Sequence, residues 1–280
     1  MARLLEGKPV AEKIRQDIAK EIEALGKKLV LASVMVGDNP GAEAYVKSQK
    51  RTAEALGVQY QLHKFSSDTT EHALAEFIEK LNRDKSVNGI IIQMPTPPQI
   101  DCKLISQQIQ PDKDIEGMHP ANIGKVVFGK AKIIPCTAAA VMELLNAAEV
   151  ELKGKEVVVV GHSEIVGKPL ALLLLDKLAT VTVCHIGTFE AKKLEEHVRK
   201  AEILIVAVGK AELIPGDWVK DGAVVVDVGI NRVGDRVVGD IEHEGAFRHA
   251  SIITPVPGGV GPLTVTMLMR NLVEAAKLQK

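Results

Sequence analysis

A turn with two glycines follows a run of valines past the middle of the chain. Valines 157–160 are followed, in order, by Gly161, His162, Ser163, Glu164, Ile165, Val166 and Gly167, after which a helix is predicted. Such a turn presents main-chain amides and the positive end of a helix to a phosphate. The G-x5-G spacing differs from the G-x-G-x-x-G fingerprint, and a tight turn needs glycine for backbone reasons alone. The turn therefore predicts either a phosphate site or a purely structural corner.

A second glycine-rich loop lies near the C-terminus. Residues 255–264 read PVPGGVGPLT, with three glycines and three prolines between a predicted buried strand and a predicted helix. A rigid loop of this composition lets a flat ligand approach the main chain closely. The alternative is an ordinary connecting loop.

Several other catalytic patterns are incomplete. Gly167-Lys168 resembles the end of a P-loop, but Pro169 stands where Ser or Thr would bind magnesium. Gly161-x-Ser163 lacks the second glycine of a nucleophile elbow. No H-E-x-x-H pair occurs, and His243 and His249 are too far apart to share one helical face. We predict neither a catalytic metal nor a serine triad.

Composition narrows the class of protein. The 280 residues include 35 basic and 36 acidic side chains, and this balance argues against a strongly basic nucleic-acid binder. Only 3% of residues are aromatic, which argues against base-stacking surfaces and membrane belts. No apolar run approaches the roughly 18 residues of a membrane span, and no signal peptide is evident. Three widely spaced cysteines suit reduced thiols, so we expect a cytoplasmic protein without nucleic-acid or membrane partners.

Alternating strands and helices must position the two glycine loops. Strands of near-continuous Val and Ile, separated by helices of ten or more residues, predict parallel βαβ units of an α/β protein. Predicted helices cover residues 10–25, 42–56, 70–81, 138–148, 168–177, 190–200 and 264–276. Predicted strands cover residues 29–36, 58–65, 89–95, 156–160, 180–184, 203–208, 223–228 and 251–254. Residues 95–135, rich in proline, are predicted to connect two domains.

Eight ordered segments resemble one enzyme family. They are VGDNPGAEAYV from Val36, GIIIQMP from Gly89, PDKDIEGMHPANIG from Pro111, IPCTAAAV from Ile134, GHSEIVGKP from Gly161, ATVTVCH from Ala179, VVVDVGIN from Val224 and TPVPGGVGPLTV from Thr254. The chain resembles, over nearly its whole length, the bifunctional FolD family of methylenetetrahydrofolate dehydrogenase/methenyltetrahydrofolate cyclohydrolases.

The resemblance implies two α/β domains around a cleft, the second with a Rossmann-type parallel sheet. The first, a folate-binding catalytic domain, would comprise residues 1–118 and 264–280, because the family's last helix returns to it. The NAD(P)-binding domain would comprise residues 119–263. The family also implies a homodimer built through the Rossmann domains.

The resemblance further assigns residues to ligands. Tyr45 would stack on a tetrahydrofolate derivative, Gln93 would lie beside the reacting centre, and the loop of Pro257, Gly258, Gly259, Val260 and Gly261 would wall the site. The cofactor would contact Gly161, His162, Ser163, Ile165, Val166, Gly167, Ile186 and Ile230. The expected oxidation moves a hydride from 5,10-methylenetetrahydrofolate to the cofactor and gives the methenyl derivative, so the protein mainly supplies proximity and orientation.

Two polar positions depart from the family. The family's catalytic lysine lies one helical turn after the tyrosine, and this chain has Gln49 there. An amide cannot exchange a proton near neutral pH, whereas hydrolysis of the methenyl cation needs proton transfer. Glu116 stands where the family has Asp to hold the pterin, so its carboxylate reaches about one methylene further.

These departures predict an active dehydrogenase with weak or absent cyclohydrolase activity, with Gln49, Gln93 and Glu116 as the candidate catalytic residues. The alternatives are a fully bifunctional enzyme in which another group replaces the lysine, a catalytically silent folate-binding paralogue, and a Rossmann oxidoreductase with a different substrate.

The predicted cofactor is NADP, with NAD as the other possibility. The second Rossmann strand ends at Cys184-His185, without the acid that holds the ribose of NAD. Many family members, however, place Arg at His162 and Ser at Ile186, both toward the 2′-phosphate, so we expect reduced discrimination.

Overall fold

The computed structural model describes residues 2–279, which form two compact units. One unit joins the residues up to Glu12 with Thr137–Thr264, and the other joins Lys13–Cys136 with the residues from Val265 onward. We call them the six-strand unit and the three-strand unit after their main sheets. The α/β fold with a large parallel sheet and a second smaller one confirms the predicted fold class.

The six-strand unit contains a fully parallel sheet. Its strand order is β1-β11-β8-β7-β5-β6. The strands are β1 (Arg3–Leu4), β5 (Glu156–Val160), β6 (Thr180–Cys184), β7 (Ile203–Val206), β8 (Val224–Asp227) and β11 (Ile252–Ile253). All four residues of β7 are buried, as expected for a strand covered on both faces. The chain runs from β5 to β6 on one side and then to β7 on the other, so the strand order reverses at β5.

Helices and one hairpin complete this unit. The helices are α6 (Cys136–Ala147), α7 (Gly167–Asp176), α8 (Ile186–Glu190), α9 (Leu194–Lys200) and α10 (His243–His249). The antiparallel hairpin consists of β9 (Asn231–Val233) and β10 (Arg236–Val238). Two long helices, α1 (Gly7–Leu25) and α11 (Gly261–Leu278), belong partly to each unit.

The three-strand unit contains the parallel sheet β3-β2-β4. Its strands are β2 (Val30–Val36), β3 (Gln59–Phe65) and β4 (Gly89–Ile92), and its helices are α2 (Pro40–Ala55), α3 (Glu71–Arg83), α4 (Cys102–Ser106) and α5 (Pro120–Val127). The central strand β2 is buried along its full length. Asn39 caps α2 by accepting from the amides of Gly41 and Ala42, and Pro40 occupies the first turn.

Several predicted elements needed correction. The helix predicted over 190–200 begins only at Leu194, as α9, because Lys192 has a positive φ of 56°, and residues before it form the separate short helix α8, which was not predicted. The strand predicted over 89–95 ends at Ile92, where the chain turns toward Pro95. The segment 95–135, expected to be a connection, contains α4 and α5. The short strands β1, β9 and β10 and the helix α10 were not predicted.

The grouping of residues differs from the predicted domain bounds at the N-terminus, at residues 119–136 and at the single residue Thr264. The N-terminal strand β1 pairs with β11 and so belongs to the six-strand unit. Residues 119–136 belong to the three-strand unit, where the Asn122 side chain donates to the Pro111 carbonyl and to Asp114. Within residues 2–279, no helix is long and apolar enough to cross a membrane.

Candidate active site

A pair of buried amides occupies the interior of the three-strand unit. Gln49 on α2 is fully buried and Gln93, just after β4, is nearly so. Gln93 Nε2 donates to Gln49 Oε1 over 2.8 Å, and Gln49 Nε2 lies 3.4 Å from Gln93 Oε1. The predicted catalytic glutamine and the predicted neighbour of the reacting centre are therefore directly bonded to each other.

Two hydroxyl groups from the sheet complete this amide network. The Tyr60 hydroxyl on β3 donates to Gln49 Oε1 over 2.8 Å, and Gln93 Nε2 also donates to Ser33 Oγ on β2 over 3.0 Å. Burial raises the pKa of Tyr60 to about 12, so its hydroxyl stays protonated. The network is made of neutral groups, and none of them exchanges a proton readily near pH 7.

Helix α2 places Tyr45 beside this network. Tyr45 and Gln49 are separated by one helical turn, and their side chains are hydrogen-bonded. Burial raises the pKa of the Tyr45 hydroxyl well above its ordinary value, and the nearby Cys136 and Glu116 raise it further. This electrostatic influence places Tyr45 near Glu116, so three of the predicted folate-site residues share one region of the unit.

The turn that carries Glu116 is held by Asp114. The Asp114 carboxylate accepts from the amides of Gly117 and His119, at 3.1 and 2.7 Å, and from the Asn122 side chain at 3.0 Å. Gly117 has a φ of 75°, and a Cβ there would lie 2.6 Å from the Ile134 carbonyl carbon. The motif DIEG thus folds into a tight turn that only glycine can close.

The Glu116 carboxyl is available for a ligand. Within residues 2–279 no hydrogen bond or ion pair holds it. Burial, with a smaller contribution from the charge of Asp114, raises the pKa of Glu116 to about 8. At pH 7 the free protein therefore keeps this side chain largely protonated. A ligand that offers N–H donors to it would favour the ionised form.

The loop of residues 257–261 lies in the six-strand unit. Pro257 and Gly258 are exposed, whereas Gly259 and Val260 are buried. The Gly258 carbonyl accepts from the amide of Gly7 over 2.8 Å, and a Cβ on Gly7 would lie 1.8 Å from the Gly259 carbonyl oxygen. The first turn of α1 thus packs directly on this loop and fixes its path.

The turn after β5 is equally constrained. Gly161 has a φ of 121°, and a Cβ there would lie 2.3 Å from the Ala207 carbonyl oxygen. A Cβ on Gly167 would lie 2.0 Å from the Gly161 carbonyl oxygen. Gly161 is therefore required for the end of β5 to lie this close to the chain after β7, and Gly167 for helix α7 to start this close to the end of β5. The start of α7 is therefore brought to the carboxyl end of β5, the arrangement that favours a pyrophosphate.

A cavity of about 360 Å³ opens at the carboxyl ends of β5, β6 and β7. Of the predicted cofactor residues, Gly161, His162, Ser163 and Ile186 line it, whereas Ile165, Val166, Gly167 and Ile230 do not. Its apolar walls include Phe189 and Leu213. The position at the reversal of strand order is where open α/β sheets bind ligands, and the glycine turn and apolar walls fit the adenosine half of a dinucleotide.

Two buried aspartates hold the loops beside this cavity. Asp240 accepts from the amides of Val208, Gly209 and Lys210, at 2.7, 2.9 and 2.9 Å. Asp227, at the end of β8, accepts from the amides of Gly229, Asp240 and Ile241. Burial raises the pKa of Asp227 to about 6, against the opposing effect of these amides. The two carboxylates thus organise the chain that follows β7 and β8.

The sequence analysis missed some residues of the buried amide network and some residues in and beside the cavity. Tyr60 and Ser33 were not predicted, although a serine inside the apolar strand β2 is a recognisable signal. Lys210, Phe189 and Asp240 were not predicted either, since nothing local marks them as neighbours of the glycine turn. Among residues 2–279, no group of three or more His, Cys, Asp or Glu could hold a metal ion.

Comparison with known proteins supports the family assignment. Residues 5–116 match the tetrahydrofolate dehydrogenase/cyclohydrolase catalytic domain, and residues 135–280 match the NAD(P)-binding domain of the same family. The chain is 47% identical to the bifunctional protein FolD of Bacillus subtilis over 280 residues, covering 99% of this chain and 98% of the relative.

Solved structures of the same family have the same fold as this chain. The bifunctional FolD enzyme of Campylobacter jejuni is 41% identical, with a TM-score of 0.95 and full coverage of both chains. The Trypanosoma brucei FolD, solved with NADP and an inhibitor, is 36% identical, with a TM-score of 0.94, covering 99% of this chain and 98% of that one. The sequence resemblance is thereby confirmed, and the chain belongs to the bifunctional methylenetetrahydrofolate dehydrogenase/cyclohydrolase family.

Proposed function

We propose that this protein oxidises 5,10-methylenetetrahydrofolate to 5,10-methenyltetrahydrofolate with NADP. Family membership over nearly the whole chain supports the reaction class. The glycine turn after β5 and the cavity beside it support a dinucleotide. When bound, NADP supplies the hydride acceptor.

The protein's own part in this reaction is positioning. Tyr45 provides an aromatic face for the pterin, and Glu116 provides a carboxyl group with no other partner. Gln93, fixed by Ser33 and Gln49, is prevented from rotating. The nitrogens of the folate expel the hydride themselves, so a well-oriented, neutral environment is sufficient for this step.

We further propose that hydrolysis of the methenyl product is weak or absent. The observation that carries this proposal is the Gln49 amide, which is fully buried and bonded to Gln93 and Tyr60 at the position of the family lysine. Attack of water on the methenyl cation releases a proton, and a positioned acid or base typically accelerates such a step by about 10²–10⁴-fold. An amide does not perform this role.

The test is a comparison of the two reactions on the unaltered protein. Formation of reduced cofactor from methylenetetrahydrofolate is followed by absorbance, and decay of added methenyltetrahydrofolate is followed separately without cofactor. We expect cofactor reduction at a rate at least tenfold above enzyme-dependent decay. Comparable rates would instead support a fully bifunctional enzyme, which the names of the relatives favour. No reduction of either NADP or NAD would support a silent folate binder.

The proposal includes a homodimer, as expected for the family. Light scattering at micromolar concentration is expected to give the mass of two chains. A single-chain mass would contradict this part of the proposal.

A further inference from the structure

The cavity at the carboxyl ends of β5, β6 and β7 contains one permanent cation. Lys210, four positions after the end of β7, lines it together with His162 and His185. Among residues 2–279, no other lysine or arginine lines this cavity, and no aspartate or glutamate does. A cavity with this lining favours an anionic group.

The main chain of Lys210 is firmly anchored. Its amide donates to Asp240 Oδ1 over 2.9 Å, and the two preceding amides donate to Asp240 Oδ2. Asp240 is fully buried and also accepts from the Asn231 side chain over 2.8 Å. The backbone from which this lysine projects is therefore held by a network of four hydrogen bonds.

The side chain is directed by an aromatic ring. Lys210 Nζ lies 5.3 Å from the centre of the Phe189 ring, which also lines the cavity. This cation–π contact holds the ammonium group without neutralising it. In the described part of the chain, no carboxylate pairs with Nζ, so its charge remains available.

The residues that follow β5 and β6 bring no permanently charged side chain to the cavity lining. The turn after β5 contributes His162 to the cavity lining, and the residues after β6 contribute His185 and Ile186. The two histidine rings lie 5.2 Å apart, centre to centre. The only basic side chains that follow β5 and β6 in the cavity lining are therefore histidines, and the permanent cation follows β7.

We propose that Lys210 recognises the 2′-phosphate of NADP and is the main determinant of its preference over NAD. The inference rests on the proposed use of NADP. It assigns discrimination to the loop after β7, which Asp240 and Phe189 hold in place, rather than to the residues after β5 and β6.

The experiment measures binding of two probes by isothermal titration calorimetry. Adenosine 2′,5′-bisphosphate carries the 2′-phosphate and 5′-AMP lacks it, and neither undergoes the reaction. The proteins are the full chain, Lys210→Gln, Lys210→Arg and the control Lys177→Gln. Lys177 is exposed at the end of α7 in the same unit, so its replacement removes an equal charge away from the cavity.

We expect Lys210→Gln to bind the bisphosphate about tenfold or more weakly and to bind 5′-AMP within about twofold of the original protein. Lys210→Arg and Lys177→Gln should retain the discrimination. Thermal unfolding of each variant shows whether it is folded. Equal weakening of both probes by Lys210→Gln, or no weakening of either, would overturn the inference. An original protein that binds the bisphosphate no more tightly than 5′-AMP would also overturn it.

This result is separable from the proposed function. If Lys210→Gln still prefers the bisphosphate and the protein reduces NADP with methylenetetrahydrofolate, only the role assigned to Lys210 is wrong. If methylenetetrahydrofolate reduces neither NADP nor NAD, the proposed reaction is wrong. The measured preference for a 2′-phosphate could then no longer be assigned to NADP.

Discussion

Gln93 Nε2 donates to Gln49 Oε1 over 2.8 Å in the interior of the three-strand unit. This bond joins a residue on α2 to one that follows β4, and Tyr60 donates to the same oxygen from β3. The amide of Gln49 is thus fixed by two donors. The proposed loss of hydrolysis rests on this immobile and neutral amide at residue 49.

Replacement of Gln49 by Lys is expected to restore hydrolysis. The Tyr60 hydroxyl and the Gln93 carbonyl oxygen can both turn to accept from an ammonium group, so the new side chain finds partners in place. We expect enzyme-dependent decay of methenyltetrahydrofolate to rise by about 100-fold or more, with cofactor reduction changed only a few-fold.

The matched control is Lys50→Gln, because Lys50 is exposed on the same helix beside Glu54. It should leave both rates unchanged. A folded Gln49→Lys variant without any gain in hydrolysis would show that a lysine alone does not supply the missing step.

Glu116 is expected to release a proton when folate binds near pH 7. The pKa of about 8 keeps the carboxyl largely protonated in the free protein, and the N–H donors of a pterin favour the ionised form. Binding of tetrahydrofolate should therefore release nearly one proton at pH 7 and progressively fewer as the pH rises above 8. Folate affinity should therefore rise with pH up to about 8 and level off above it.

Calorimetry in buffers of different ionisation enthalpy measures this release. Glu116→Gln should abolish it, since an amide does not titrate. An enthalpy that is independent of the buffer in the original protein would mean that Glu116 stays protonated in the complex.

The residues of the candidate folate site and those around the cofactor cavity show what sequence can and cannot reveal. The glycine turn, Tyr45 and Gln49 were predicted because each belongs to a short ordered motif. The bond from Tyr60 to Gln49 was not, since it depends on the pairing of β3 with β2 and on the packing of α2 against that sheet. Asp240 reaches Lys210 across 30 positions of sequence, and no local pattern marks such a partner. Helix α8 was missed because a five-residue helix carries too little periodicity.

Replacement of Asp240 by Ala is expected to destabilise the six-strand unit. It removes the acceptor of three main-chain amides and one side-chain amide, so the free energy of unfolding should fall by about 2–4 kcal/mol. Binding of adenosine 2′,5′-bisphosphate should weaken in the same variant. Asp235→Ala in the exposed hairpin turn provides the control and should change neither quantity. Chemical denaturation gives the stability, and an unchanged midpoint and slope for Asp240→Ala would contradict the assigned role.

Replacement of Gly167 by Ala is expected to disturb the turn after β5. The added methyl group would lie 2.0 Å from the Gly161 carbonyl oxygen, so strand β5 and helix α7 must move apart. We expect a loss of stability of about 1–3 kcal/mol and much weaker binding of NADP. Gly124→Ala is the control, because nothing lies within 4 Å of the added atom there. Equal behaviour of the two variants in thermal unfolding and in NADP titration would show that the close approach is not required.

The buried amide at residue 49 also has a genetic consequence. Glutamine and lysine codons differ only in their first base, so one nucleotide change would place the family's lysine among acceptors that already face that position. A bacterial population whose growth depends on this protein for hydrolysis of the methenyl derivative should therefore regain lysine in a single step. Growth without any change at residue 49 would contradict the proposal that this glutamine limits hydrolysis.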